Sequence, residues 1–194
     1  MPTLEFLTTI LSTFGVIFLA EIGDKSQLVC MTLAARHRHP PVMLGAVAAF
    51  LALNTLAVVF GAGLAQWIPE PLLAGAVALL FGVFGITSLL TKEEAEDPDG
   101  EVVETPGQSI VVTTFVMLLL AEMGDKTQLA IAGLAVTLPP VAVWLGASLA
   151  LITTSALGIW LGVILLRRLS IQRLHQISGI FFLALAAFAA IRLC

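Results

Sequence analysis

Every membrane-length apolar stretch in this chain of 194 residues has to be read against one internal relationship. Ala20-Glu-Ile-Gly-Asp-Lys-Ser-Gln-Leu28 returns as Ala121-Glu-Met-Gly-Asp-Lys-Thr-Gln-Leu129. Seven of the ten positions starting at Ala20 and Ala121 are identical, and the offset of 101 residues continues without a gap. Leu44-Gly45-Ala46 falls on Leu145-Gly146-Ala147, Ala49 on Ala150, Leu56 on Leu157, Gly61 on Gly162 and Leu64 on Leu165. An acidic motif and the segment after it, repeated in one register, indicate an internal duplication. The fold must therefore accommodate two similar halves.

Both copies are embedded in lipid-like sequence. Hydrophobic residues make up 59% of the chain, charged residues only 11%, and the mean hydropathy is +1.04. A soluble domain of this size could not bury so much apolar surface, which excludes the soluble enzyme classes and points to an integral membrane protein. Met1-Pro-Thr-Leu-Glu-Phe6 has no basic run and no small-residue cleavage site follows it, so the first apolar stretch is expected to remain in the mature protein. Cys30 and Cys194 supply neither a disulfide framework nor a thiolate cluster.

Apolar stretches at 4–35, 42–67, 71–90, 109–137, 141–166 and 174–192 predict six transmembrane helices. The breaks are His39-Pro40-Pro41, Pro69-Glu70-Pro71, 91–107, Pro139-Pro140 and Arg167–Arg173. The expected organisation is a first three-helix repeat over 1–90, an acidic linker over 91–107 and a second three-helix repeat over 108–194. Seven of the thirteen acids lie between Glu93 and Glu104, which marks the linker as a solvated tether. Three helices per half is an odd number, so the second half enters the membrane from the opposite side. The fold class expected is thus all-α, with two inverted three-helix repeats. Arg36, Arg38, Lys92, Arg167, Arg168 and Arg173 fall on one side and Arg192 on the other. The positive-inside rule makes the first side cytoplasmic, with the linker inside and both termini outside.

A continuous helix over 4–35 would be about 48 Å long at about 1.5 Å per residue, against a hydrocarbon core of about 30 Å. Helices 1 and 4 are therefore expected to kink or break at the motifs, with Gly23 and Gly124 as the natural positions. Interrupted helices near the bilayer midplane expose helix ends and carbonyls to an ion. If the backbone stays helical, Glu21 and Asp24 share a face, as do Glu122 and Asp125. Either geometry aims two carboxylates per half into one cavity, and a pseudo-two-fold axis brings both pairs together.

Glu21, Asp24, Glu122 and Asp125 are accordingly the candidate metal ligands. Ser26, Thr127, Gln27 and Gln128 add oxygen donors, and carbonyls near Gly23 and Gly124 extend the set. Oxygen ligands suit calcium, manganese and magnesium, while the two motif-bearing stretches contain no histidine and one cysteine, which argues against a soft zinc or copper site. Four carboxylates against Lys25 and Lys126 leave two negative charges, matched by one divalent cation. The lysines either pair with the empty carboxylates or reach toward the interface. Desolvation and like-charge repulsion both oppose ionisation in such a cluster, so protons and metal compete for the same oxygens. That competition is the minimum requirement for cation/proton exchange.

Other polar residues read more plainly. His37 and His39, beside Arg36 and Arg38, are expected to anchor a loop, and Asn54, Thr55, Thr153, Thr154 and Ser155 to make packing hydrogen bonds. Interhelical glue is the structural alternative for the motifs themselves, but apolar or small residues would pack helices without the desolvation cost.

The paired motif, Glu21-x-Gly23-Asp24-Lys25-Ser26 and Glu122-x-Gly124-Asp125-Lys126-Thr127, resembles that of the Gdt-type cation/proton exchangers, and the resemblance covers essentially the whole chain. It implies exchange of manganese and calcium for protons, with the motif acids as cation ligands. It also implies a compact prokaryotic member in the plasma membrane. The expected function is therefore a secondary antiporter exporting Mn²⁺, with Ca²⁺ as the alternative cargo, from the cytoplasm. Divalent cation, protons and the lipid bilayer are its expected partners; no enzyme activity, prosthetic group or nucleic-acid partner is expected. A passive divalent-cation channel and an intramembrane metal-dependent enzyme are the rival readings.

Overall fold

The computed structural model describes residues 2–22, 24–67, 69–90 and 109–168, together with 176, 180, 183–184 and 186–187. The linker expected at 91–107 and nearly all of the stretch at 174–192 lie outside the described residues. Regular structure among the described residues is entirely helical. In chain order the helices are α1 (Pro2–Glu21), α2 (Lys25–Arg36), α3 (His39–Leu64), α4 (Glu70–Leu90), α5 (Ile110–Glu122), α6 (Lys126–Thr137) and α7 (Pro140–Arg168).

Seven helices replace the first five apolar stretches because the first and fourth are each divided at the acidic motif. α1 stops at Glu21 and α2 resumes at Lys25; α5 stops at Glu122 and α6 resumes at Lys126. The two interruptions are closed alike, with Asp24 N–H donating to Glu21 O and Asp125 N–H to Glu122 O, both at 3.1 Å. Gly124 has φ +81°, in the left-handed region that favours glycine. Local chemistry accounts for the other ends. Prolines open α3 and α7, where the missing N–H costs nothing. Ser109 caps α5 by accepting from Val112 N–H at 3.4 Å.

Thr3–Glu21, His39–Leu64 and Pro140–Trp160 are long and apolar enough to cross a bilayer. Large apolar side chains such as Leu4, Leu7 and Leu11 on α1 and Val59 and Phe60 on α3 remain exposed, while Ile17, Leu33, Phe50, Leu118, Ile131 and Val143 are buried among the helices. A surface that apolar is what a lipid-facing helix presents.

Helices pair across the duplication. The most extensive packing is α1 on α7 and α3 on α5, followed by α3 on α6 and on α7, and α2 on α7. Small residues set the closest approaches. A Cβ on Gly45 of α3 would lie 2.5 Å from Val111 O and 2.7 Å from Thr114 Cβ of α5. Its repeat partner, Gly146 of α7, would meet Ile10 O at 2.6 Å and Thr13 Cβ at 2.8 Å on α1. Ile10 and Val111, like Thr13 and Thr114, are separated by the same 101 residues as the glycines. The sequence duplication is therefore also a duplication of contacts.

Of the polar residues of the long helices, Asn54 and Thr55 make hydrogen bonds between helices, and Thr153, Thr154 and Ser155 make theirs within α7. Asn54 Nδ2 donates to Ser148 Oγ at 3.0 Å, and Trp144 Nε1 to Thr55 Oγ1 at 3.0 Å. Thr153, Thr154 and Ser155 return their hydroxyl protons to Leu149 or Leu151 carbonyls of their own helix.

Candidate metal centre

Each interruption delivers one helix C-terminus and one helix N-terminus to the interior. Glu21 ends α1 with no exposed surface, and Glu122 ends α5 at 4% exposure. Asp24 and Asp125 stand immediately before α2 and α6, and neither Asp24 nor Asp125 is fully exposed. A bare carboxylate is costly to bury, so such side chains need partners or a cation.

Glu21 has hydroxyl partners from both halves. Ser26 Oγ donates to Glu21 Oε2 at 2.9 Å, and Thr127 Oγ1, reaching across from α6, donates to Glu21 Oε1. Lys126 Nζ lies 2.6 Å from Asp24 Oδ2, a second bridge between the two motif copies. Carboxylate oxygens of Glu21, Asp24 and Asp125 all lie within 4.8 Å of one another. Three acids are thus brought together; Glu122 is buried at the corresponding place in the second motif but is not one of that group.

The supporting residues divide by position. Ser26 and Thr127 touch a carboxylate, and Lys126 pairs with one. Gln128 Oε1 accepts Gly124 N–H at 2.8 Å, while its Nε2 donates to Leu53 O at 3.4 Å. Gln27 Nε2 donates to Thr154 O at 3.4 Å. Gly23 and the side chain of Lys25 lie outside the described residues. Spacing within the motif did not reveal the long-helix carbonyls of Leu53 and Thr154 as partners; their common 101-residue offset was the available signal.

Chemically, a site of three carboxylates and one ammonium, all ionised, carries two net negative charges. Its donors are oxygen, which suits a hard divalent cation. Interrupted apolar helices whose ends converge on buried acids define a membrane transporter that handles cations.

Comparison with known proteins agrees with that class. The family described as "Divalent cation/proton antiporter GDT1" matches residues 9–96 and 110–193. The chain belongs to the GDT1 family. A protein of Vibrio cholerae named "Putative manganese exporter" is 26% identical over 189 residues, covering 95% of this chain and 92% of its own. A GDT1-like protein of Synechocystis is 28% identical over 193 residues, covering 91% and 93%. GDT1-like protein 3 of Arabidopsis thaliana is 25% identical over 195 residues, covering 89% and 67%. No solved structure matches the chain.

Proposed function

We propose that this protein is a secondary antiporter that expels Mn²⁺, and also carries Ca²⁺, from the cytoplasm in exchange for protons. The observation that carries the reading is the convergence of Glu21, Asp24 and Asp125 oxygens within 4.8 Å, drawn from both motif copies in the helical interior. Glu122, buried at the matching helix end, completes a four-acid site when the halves move. The family to which the chain belongs supports proton-coupled cation transport, and the name of the Vibrio cholerae relative supports manganese as the cargo.

The mechanism follows from competition for the same oxygens. With the site open inward, Mn²⁺ displaces protons from the carboxylates; with it open outward, protons arriving down their gradient displace the metal. Lys126 holds Asp24 between loads. Six spans arranged as inverted repeats, a cytoplasmic 91–107 linker and both termini outside the plasma membrane complete the proposed topology. Rocking of the halves alternates access.

Transport in proteoliposomes under an imposed pH gradient is the test. Mn²⁺ flux should follow the gradient in sign and size, and both Glu21→Gln and Glu122→Gln should abolish it. Unchanged rates in those variants refute the site. Flux indifferent to the proton gradient favours a channel, and metal-dependent turnover of a lipid without ion flux favours an enzyme.

A further inference from the structure

The two motif glutamines make one hydrogen bond twice. Gln27 on α2 donates to Thr154 O of α7, Gln128 on α6 donates to Leu53 O of α3, and both distances are 3.4 Å. Donors and acceptors are each 101 residues apart. In each case the amide comes from a motif helix of one half and the carbonyl from the long helix of the other. A helical carbonyl has a second lone pair after its i+4 bond, so it can accept such a visitor without losing helix structure.

For Gln128 the amide orientation is settled by its other end. Gly124 N–H, in the left-handed turn of the motif, needs an acceptor and meets Oε1 at 2.8 Å, which leaves Nε2 to face Leu53. One side chain therefore ties the turn beside Asp125 to the middle of α3. Gln27 is buried at 7% exposure and passes the bare backbone of Gly158 on α7. A Cβ at Gly158 would lie 2.8 Å from Gln27 Cγ and 3.1 Å from Gln27 O. The absence of a side chain there makes room for the amide. Asn54, next to Leu53, and Ser148, in contact at 3.0 Å, join α3 to α7.

We propose that Gln27 and Gln128 are positioning residues that couple each motif helix to the long helix of the opposite half, so that the cation site moves with α3 and α7. Gln128 uses both ends of its amide on backbone, and Gln27 gives its Nε2 to backbone, so in this proposal they shape the site and do not ligate the cargo. This rests on the transport reading above for its cargo, but not for the coupling itself.

The test uses the full chain carrying Gln128→Met, Gln27→Met or both, since Met preserves length and volume while removing the amide. Mn²⁺ is the probe, with equilibrium binding measured in detergent and exchange in proteoliposomes. Hydrogen–deuterium exchange over residues 122–128 is followed in parallel. Binding should stay within about twofold of the parent while exchange in the double variant slows at least about tenfold, the scale expected for two lost hydrogen bonds. Gly124 N–H should exchange faster in Gln128→Met.

Binding and transport lost in parallel would make the glutamines ligands and overturn the proposal. An unchanged transport rate in the double variant would overturn it as well. If the parent moves no Mn²⁺, the cargo reading falls, and the deuterium arm still decides the coupling: unaltered protection of Gly124 in Gln128→Met refutes it.

Discussion

Lys126 of the second motif places its Nζ 2.6 Å from Asp24 Oδ2 of the first, so the ion pair at the candidate site joins the two halves of the duplication. In the proposed site, lysine and cation compete for the same carboxylate. Under the proposed transport reading the pair acts as an internal substitute for cargo, and its residues sit at successive rather than equivalent places of the repeat, Asp24 just before α2 and Lys126 at the head of α6.

Removing that substitute should tighten metal binding. In Lys126→Gln the three clustered acids face the cation without the Lys126 ammonium, and charges a few ångströms apart interact by several kcal/mol at an effective dielectric near 20. Mn²⁺ affinity should rise about tenfold or more, with slower release during exchange. Electron paramagnetic resonance of free Mn²⁺ measures the first and proteoliposome flux the second. Weaker binding would show that Lys126 supports the loaded site instead.

The hydroxyls on Glu21 should matter most without metal. Ser26→Ala and Thr127→Val each remove a donor from a fully buried carboxylate, at a cost of about 1–3 kcal/mol. Thermal unfolding of metal-free protein in detergent should register that loss. Saturating Mn²⁺ should largely restore stability, because a cation on Glu21 replaces the missing donors. A deficit that persists or grows with metal would mark the hydroxyls as ligands.

Two glycines related by the duplication should fail alike. Gly45→Ala and Gly146→Ala drive a methyl into the backbone of α5 and α1, at 2.5 Å from Val111 O and 2.6 Å from Ile10 O. Backbone cannot swing aside, so each variant should lose about 1–3 kcal/mol. The two melting shifts should be of similar size. Loss at only one position would break the correspondence between the two cross-half contacts.

Gly124 offers a different test, since among the described residues nothing lies within 4 Å of its would-be Cβ. Only its φ of +81° penalises a side chain, which predicts a loss of about 1–2 kcal/mol for Gly124→Ala. Gly63, also open but inside helix α3, is the control. Gly63→Ala should leave the melting temperature unchanged or raise it. Equal losses at both would remove the backbone explanation.

Much of this architecture was legible in the residues. Apolar runs broken by proline and charge marked the helices. The excess length of 4–35 over a bilayer required an interruption, which the chain makes between Glu21 and Lys25. The repeat of Gly-Asp-Lys located its counterpart between Glu122 and Lys126. Such features depend on neighbours along the chain: hydropathy is summed over a span, and a glycine in a strained turn acts through its own φ.

What the tertiary structure decided is which residues of one half meet which of the other. Spacing treats Glu21, Asp24, Glu122 and Asp125 as two equal pairs, yet the packed chain gathers Glu21, Asp24 and Asp125 and supplies both hydroxyls of Ser26 and Thr127 to Glu21. It turns Gln27 and Gln128 onto carbonyls of Thr154 and Leu53, residues without a recognisable motif. A one-dimensional repeat states that the halves are alike. Only the approach of helices, set by Gly45 against α5 and Gly146 against α1, determines how far apart their side chains end, and hydrogen bonds and ion pairs depend on ångström distances.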